Sequence, residues 1–161
     1  MREPAEVRSA IERSEAVICA LGMPLMNKEG LRAEGTKNIV RAMEEVGCKR
    51  LICLSALGVG DSRSFLPLHY RALIIPLFMG RLFADHEAQE EILRTSDLDW
   101  VIARPGSFTK GAKAGMYKHG LKEALGAAKL QFKISPEDVA AFLVLQLMDA
   151  SYVREWAWLS D

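Results

Sequence analysis

The chain has 161 residues, with 21 basic and 21 acidic side chains and a hydrophobic fraction of 50%, a composition typical of one globular domain over residues 1–161. Zero net charge argues against a nucleic-acid partner, and no apolar run approaches the length of a membrane span. Three cysteines without C-x-x-C spacing and three scattered histidines predict neither a disulfide framework nor a metal site, so we expect a reducing, cytoplasmic setting.

Continuous apolar runs predict strands that are buried on both faces. The predicted strands lie near residues 16–21, 50–55, 100–104 and 156–159. Apolar spacing of 3.6 residues predicts helices after Pro4, after Gly35, and between Asp85 and Ser96. Ser135, followed by proline and two acids, is typical of a helix start. Strands that alternate with helices indicate a doubly wound α/β fold with a parallel sheet.

Two segments have a less regular pattern. The apolar segment Phe65–Phe83 contains two prolines, and we expect it to cap a substrate site, to form a subunit contact, or to pack on the sheet as a helix. The stretch from Lys110 to Lys133 is rich in glycine, lysine and alanine. There we predict a short hairpin that pairs Met116–Lys118 with Leu130–Phe132.

An ordered set of segments points to one family. These segments are Ala16–Gly22, Glu34–Met43, Lys49–Ser62, Asp85–Glu90, Leu98–Gly106 and Ile134–Ala140. Together they resemble the NmrA-like, NAD(P)H-binding atypical short-chain dehydrogenases/reductases, in particular the biliverdin reductase B/flavin reductase group. The resemblance implies a Rossmann-type sheet, NADP or NAD as cofactor, and hydride transfer to a small-molecule acceptor that is flavin- or quinone-like.

The sequence departs from this family at its beginning. The family opens with a strand, a glycine-rich turn and a helix whose N-terminus binds the pyrophosphate. Met1–Ile11 aligns instead with the helix that enters the family's fourth strand, and no glycine-rich turn precedes it. We therefore expect an N-terminally incomplete domain, either a fragment of a full reductase or a naturally short protein, and weak cofactor binding.

The resemblance also implies which residues form the site, at the carboxyl ends of the strands where open α/β sheets bind ligands. Ser55 and His86 are the implied catalytic residues, and a histidine that titrates near neutral pH can donate to a carbonyl. The implied cofactor-binding residues are Leu21, Gly22, Cys53, Arg104, Pro105, Gly106, Ser107 and Phe108. Simpler interpretations stay open: a serine bound to its own loop, a surface histidine, turn chemistry after the third strand, and a core role for the cysteine.

The proton relay of the wider dehydrogenase superfamily is missing. Tyr70 invites the Tyr-x-x-x-Lys motif, but Ile74 stands where the lysine is needed. This favours an acceptor such as a flavin or quinone, which takes its proton from solvent. Two alternatives stay open: a non-catalytic NAD(P)-sensing or regulatory protein, and a half-domain that is active only in an assembly.

The missing strands have a consequence for assembly. Without them, the strand at 16–21 becomes an edge of the sheet that carries no charge and no proline. Natural edge strands are usually protected by lysine, proline or a bulge. We therefore expect a homo-oligomer that forms through this edge or through the segment Phe65–Phe83.

Overall fold

The computed structural model describes residues 4–22, 30–110, 115–126 and 130–161. The strands are β1 (Ala16–Cys19), β2 (Arg50–Leu54), β3 (Asp99–Pro105), β4 (Ser107–Phe108), β5 (Lys118–Gly120), β6 (Lys133–Ile134) and β7 (Glu155–Ser160). Five of them form one sheet in the order β1-β2-β3-β7-β5, and β4 pairs with β6. Strands β1, β2, β3 and β7 are parallel neighbours, and β5 is antiparallel to β7. All four predicted strands are therefore confirmed.

Helices connect the strands and cover the sheet. They are α1 (Pro4–Ile11), α2 (Leu31–Val46), α3 (Gly80–Arg94), α4 (Lys122–Leu125) and α5 (Pro136–Leu145), with a 3-10 helix at Gly60–Phe65 and a π-helix at Tyr70–Met79. The predicted start of α5 is confirmed, because Ser135 Oγ accepts a hydrogen bond from the Asp138 backbone N–H at 3.0 Å. Gly47 ends α2 in the left-handed conformation, with φ of 77°. Within the described ranges, no helix is long and apolar enough to cross a membrane.

Two hydrophobic clusters lie on opposite faces of the sheet. Leu51 of β2 packs with residues of α1 and α2, whereas the next residue, Ile52, packs with Phe142 of α5. Successive residues of a strand point to opposite faces, so a strand without polar residues buries both. The continuous apolar runs in the sequence therefore correctly predicted a doubly wound α/β fold.

The predicted hairpin between Met116–Lys118 and Leu130–Phe132 is wrong. Residues from the first segment form β5 on the outer edge of β7, and β6 pairs with β4 instead. The outer edge of β7 carries backbone N–H and C=O groups, and β5 pairs with them. Aromatic packing holds β5 there, because the His119 ring lies 5.3 Å from the ring of Phe142.

The apolar segment Phe65–Phe83 is largely helical and leads directly into α3. Its π-helix ends at Met79, and α3 begins at the next residue. Ile75 is buried, whereas Leu77 and Phe78 are 69% and 72% exposed. One side of the segment therefore packs on the protein and the other presents apolar side chains.

Strand β1 forms one end of the five-stranded sheet. It pairs with β2, and no second strand lies beside it in the described part of the chain. Ile18 is 37% exposed at this edge. These are the features of an edge that pairs readily with another strand.

We expect the protein to self-associate, and the substitution Ile18→Lys to reduce the association, because a lysine opposes strand pairing at this edge. Sedimentation velocity at low micromolar concentration measures it. Leu77→Lys tests the π-helix as the alternative contact, and Leu145→Lys is the control at another exposed apolar position. A wild-type protein that sediments as a monomer would contradict both contacts.

Candidate active site

A cavity of about 370 Å³ opens at the carboxyl ends of β1, β2 and β3. Eight residues implied by the sequence line it: Leu21, Gly22, Ser55, His86, Pro105, Gly106, Ser107 and Phe108. They come from three strand ends and from α3, and the parallel topology brings them to one edge of the sheet. The fold therefore assembles most of the predicted site in one place.

The other two implied residues do not line this cavity. Cys53 has no exposed surface, and its hydrogen-bonded neighbour Cys19 and burial together raise the pKa of the Cys53 thiol. The Arg104 side chain is also fully buried, and its guanidinium binds carboxylates within the protein. Both residues support the site from inside the fold.

Glu90 of α3 is the centre of a buried charge cluster. Its Oε1 accepts from Ser55 Oγ at 2.6 Å and from Arg104 Nε at 2.9 Å. Its Oε2 accepts from Arg104 Nη2 at 2.5 Å and from Arg94 Nη2 at 2.6 Å. The serine hydroxyl hydrogen is thus held by the carboxylate, and Ser55 Oγ presents its lone pairs as acceptors.

Arg104 extends this cluster to the loop after β2. Its Nη1 donates to Asp61 Oδ1 at 2.7 Å, and Lys122 Nζ lies 2.9 Å from Asp61 Oδ2. The guanidinium also lies over the Trp156 ring, 4.1 Å from its centroid. Two carboxylates and one aromatic ring compensate the buried positive charge, and the pKa of Arg104 is raised by Glu90 and then Asp61, against the lowering effect of burial.

His86 is held by a chain of polar side chains between α2 and α3. Gln89 Nε2 donates to Thr36 Oγ1 at 3.0 Å, so Gln89 Oε1 is left to accept from His86 Nδ1 at 3.3 Å. This arrangement places the proton on Nδ1 and leaves Nε2 as an acceptor. Burial, and then the positive charge of Arg32, lower the pKa of His86 to about 4. A pKa of about 4 favours a neutral His86 near pH 7, and its role as a catalytic residue stays a prediction.

The turn after β3 needs its glycine. A Cβ on Gly106 would lie 2.5 Å from the backbone carbonyl of Phe132. This close approach lets the Ser107 backbone N–H donate to the Phe132 carbonyl at 2.8 Å. The turn is thereby fixed against the chain that leads into β6, and Pro105–Phe108 form one wall of the cavity.

The cavity contains one polar residue that the sequence analysis did not single out, Arg32 at the start of α2. Met79, Leu82 and Phe83, from the apolar segment Phe65–Phe83, also line it. A second, smaller cavity of about 250 Å³ shares Leu57, Met79, Phe83, Gly106 and Ser107 with the first. Its other lining residues include Leu66, Pro67, Tyr70, Ile75 and Phe132. The segment Phe65–Phe83 therefore lies over the site, as one of its predicted roles required.

The sheet order and the position of this cavity are those of a Rossmann-like domain. The sequence model of the NAD(P)H-binding family matches residues 1–150, and the chain belongs to that family. The resemblance stated from the sequence is confirmed.

Two curated yeast proteins are similar in sequence. The chain is 32% identical over 127 residues to a UPF0659 protein of Schizosaccharomyces pombe. The matched region covers 72% of this chain and 48% of that protein. It is 27% identical over 147 residues to a UPF0659 protein of Saccharomyces cerevisiae. This match covers 89% of the chain and 61% of that protein. The chain thus spans about half to three fifths of these relatives.

Solved structures share the fold. A short-chain dehydrogenase/reductase of Veillonella parvula, solved in complex with NADP, superposes with a TM-score of 0.77 at 18% identity and covers 99% of this chain and 69% of that one. The anaerobilin reductase ChuY of Escherichia coli superposes with a TM-score of 0.73 at 21% identity and covers 98% of this chain and 70% of that one.

We expect Glu90→Gln to lower the free energy of unfolding by about 3 kcal/mol, because it removes the buried carboxylate that compensates Arg104 and leaves only Asp61, whose side chain is 39% exposed. Urea unfolding at neutral pH measures this. Glu91→Gln, an exposed position on the same helix, is the control and should change stability by less than about 0.5 kcal/mol. Equal effects of the two substitutions would show that the cluster does not stabilise the fold.

The depressed pKa of His86 predicts a specific pH dependence. The unfolded histidine titrates near its ordinary value of 6.5 and the folded one near about 4, so stability is lost as the pH falls from 6.5 toward 4. Between pH 7 and pH 5, we expect His86→Gln to lose about 2 kcal/mol less than the wild type in urea unfolding. The exposed His69→Gln is the control, and a wild-type loss that persists in the His86 variant would contradict this assignment.

Proposed function

We propose that this chain carries the nicotinamide and acceptor sites of an oxidoreductase that transfers hydride from NAD(P)H to a flavin- or quinone-like acceptor. The observation that carries the proposal is the cavity where Ser55, His86 and the turn Pro105–Phe108 meet at the carboxyl ends of parallel strands. Ligands of open α/β sheets bind at this position.

The residues of the cavity fit the nicotinamide end of the cofactor. Leu21 and Gly22 follow β1, and a Cβ at Gly22 would meet no atom of the described residues within 4 Å. Ser55 Oγ and His86 Nε2 are hydrogen-bond acceptors, which suits a carboxamide N–H₂ group. When bound, a reduced nicotinamide supplies hydride; the protein residues bind and orient it.

Ser55 and His86 act in this proposal by positioning and not by proton donation. The hydroxyl hydrogen of Ser55 is held by Glu90, and His86 is neutral with its proton toward Gln89. In this arrangement the hydrogens of both residues are engaged inside the protein and are not directed at the acceptor. This favours an acceptor that takes its proton from solvent, as flavins and quinones do.

The apolar lining supports a planar, largely apolar acceptor. Phe83 and Met79 contribute to both cavities, so the smaller cavity lies beside the larger one. Apolar walls with a few fixed polar groups are typical of sites for aromatic small molecules. The acceptor is therefore expected to lie under the segment Phe65–Phe83.

The oxidation of NADPH and NADH by flavin mononucleotide or a quinone tests this function. The loss of nicotinamide absorbance measures the rate. We expect Ser55→Ala to lower kcat/KM by about tenfold, the effect of one lost hydrogen bond in a buried site, and to change the free energy of unfolding much less. Ser96→Ala, at the far end of α3, is the control.

An unchanged kcat/KM in Ser55→Ala would contradict the proposed role of Ser55 in positioning the cofactor. Cofactor binding by the wild type without any oxidation would favour the dinucleotide-sensing alternative, because the same acceptor groups serve binding alone.

A further inference from the structure

Arg32 is a buried cation without a full set of partners. The residue is 7% exposed and lines the larger cavity. Its Nε and Nη1 have no hydrogen-bond partner among the residues that the structure describes. Buried donors are normally satisfied, so two orphans on one charged group call for an explanation.

Asp85 does not satisfy this guanidinium. The distance from Arg32 Nη1 to Asp85 Oδ2 is 3.7 Å, too long for a hydrogen bond. Both carboxylate oxygens instead accept from the first backbone N–H groups of α2, those of Arg32 and Ala33, at 3.2 Å each. Asp85 therefore works as a helix cap and leaves the guanidinium donors available.

No Asp or Glu is among the described residues that line the cavity with Arg32. His86 is neutral at physiological pH, and Ser55 has its hydroxyl hydrogen on Glu90. Burial lowers the pKa of Arg32, with Asp85 acting in the opposite direction, but an arginine stays charged in proteins. Arg32 thus places a buried positive charge in the lining of the cavity.

We propose that Arg32 is an anion-binding residue whose guanidinium binds a phosphate or carboxylate group of the ligand in this cavity. The anionic oxygens would compensate the buried charge, which the carboxylate of Asp85, 3.7 Å from Nη1, does not bind through a hydrogen bond, and would accept from the guanidinium where it lines the cavity. The inference rests on the proposed function only for the nature of the ligand, which is either the dinucleotide or its acceptor.

The first experiment uses inorganic pyrophosphate as the probe, at constant ionic strength set with sodium chloride. Its apparent dissociation constant comes from the shift of the thermal unfolding midpoint with concentration. We expect binding to the wild type and to Arg41→Gln, an exposed position on the same helix, and binding at least about tenfold weaker to Arg32→Gln.

A paired variant protects the experiment against a loss of folding. Arg32→Gln combined with Asp85→Asn removes both charges together, so no buried carboxylate is left alone, and it should bind pyrophosphate as weakly as Arg32→Gln. No stabilisation of the wild type, or equal stabilisation of the Arg32 variants, overturns the proposal.

The second experiment identifies the source of the anion with two matched ligand pairs. NADH is compared with reduced nicotinamide riboside, and flavin mononucleotide with riboflavin, by equilibrium binding to the wild type and to Arg32→Gln. In each pair, the wild type is expected to bind the phosphate-containing ligand more tightly. If Arg32→Gln loses this preference in the first pair, Arg32 binds the dinucleotide; if it loses the preference in the second pair, Arg32 binds the acceptor. Discrimination that persists unchanged in both pairs overturns the proposal.

These readouts separate this inference from the proposed function. Pyrophosphate binding needs neither hydride transfer nor an intact cofactor. A chain that binds pyrophosphate through Arg32 but oxidises no NAD(P)H supports the anion site and refutes the oxidoreductase activity.

Discussion

The site depends on one carboxylate, that of Glu90. It accepts hydrogen bonds from Ser55 at the end of β2, from Arg104 in β3 and from Arg94 one turn further along α3. Through Arg104 the cluster reaches Asp61 and the ring of Trp156 in β7. A buried ion pair of this kind is costly to break because each charge would be left without compensation. Three strands, α3 and the 3-10 helix Gly60–Phe65 are therefore joined at the edge of the sheet where the cavity opens.

The charge cluster around Glu90 also determines the polarity of the site. His86 and Glu90 are four residues apart on α3 and so lie on the same face of the helix. Holding Glu90 fixes the rotation of α3, and with it His86 and Asp85. Asp85 in turn caps α2 and places Arg32 at the cavity. The ion pairs of Glu90 lie outside the cavity and fix the orientation of α3. That orientation determines how Arg32, Ser55 and His86 line the cavity.

The fold could be predicted from the sequence because strands buried on both faces contain continuous apolar runs, such as Leu51–Leu54 in β2 and Trp100–Ala103 in β3. The strand ends followed from parallel topology, so Ser55 and Pro105–Phe108 were placed correctly at the cavity. Arg32 and Glu90 were missed because a charged residue in a helix usually faces solvent, and only tertiary packing buries these two. The strand β5 was misassigned because its partner, β7, is distant in sequence and its pairing has no local signal.

The π-helix Tyr70–Met79 carries cavity residues but no member of the charge cluster. Its wider turns and internal proline make it a weaker helix than α3, which it joins directly. Ile75 and Met79 thus shape the pocket from a segment whose replacement leaves Glu90 and its partners intact. The shape of the pocket and the integrity of the charge cluster therefore depend on different segments of the chain.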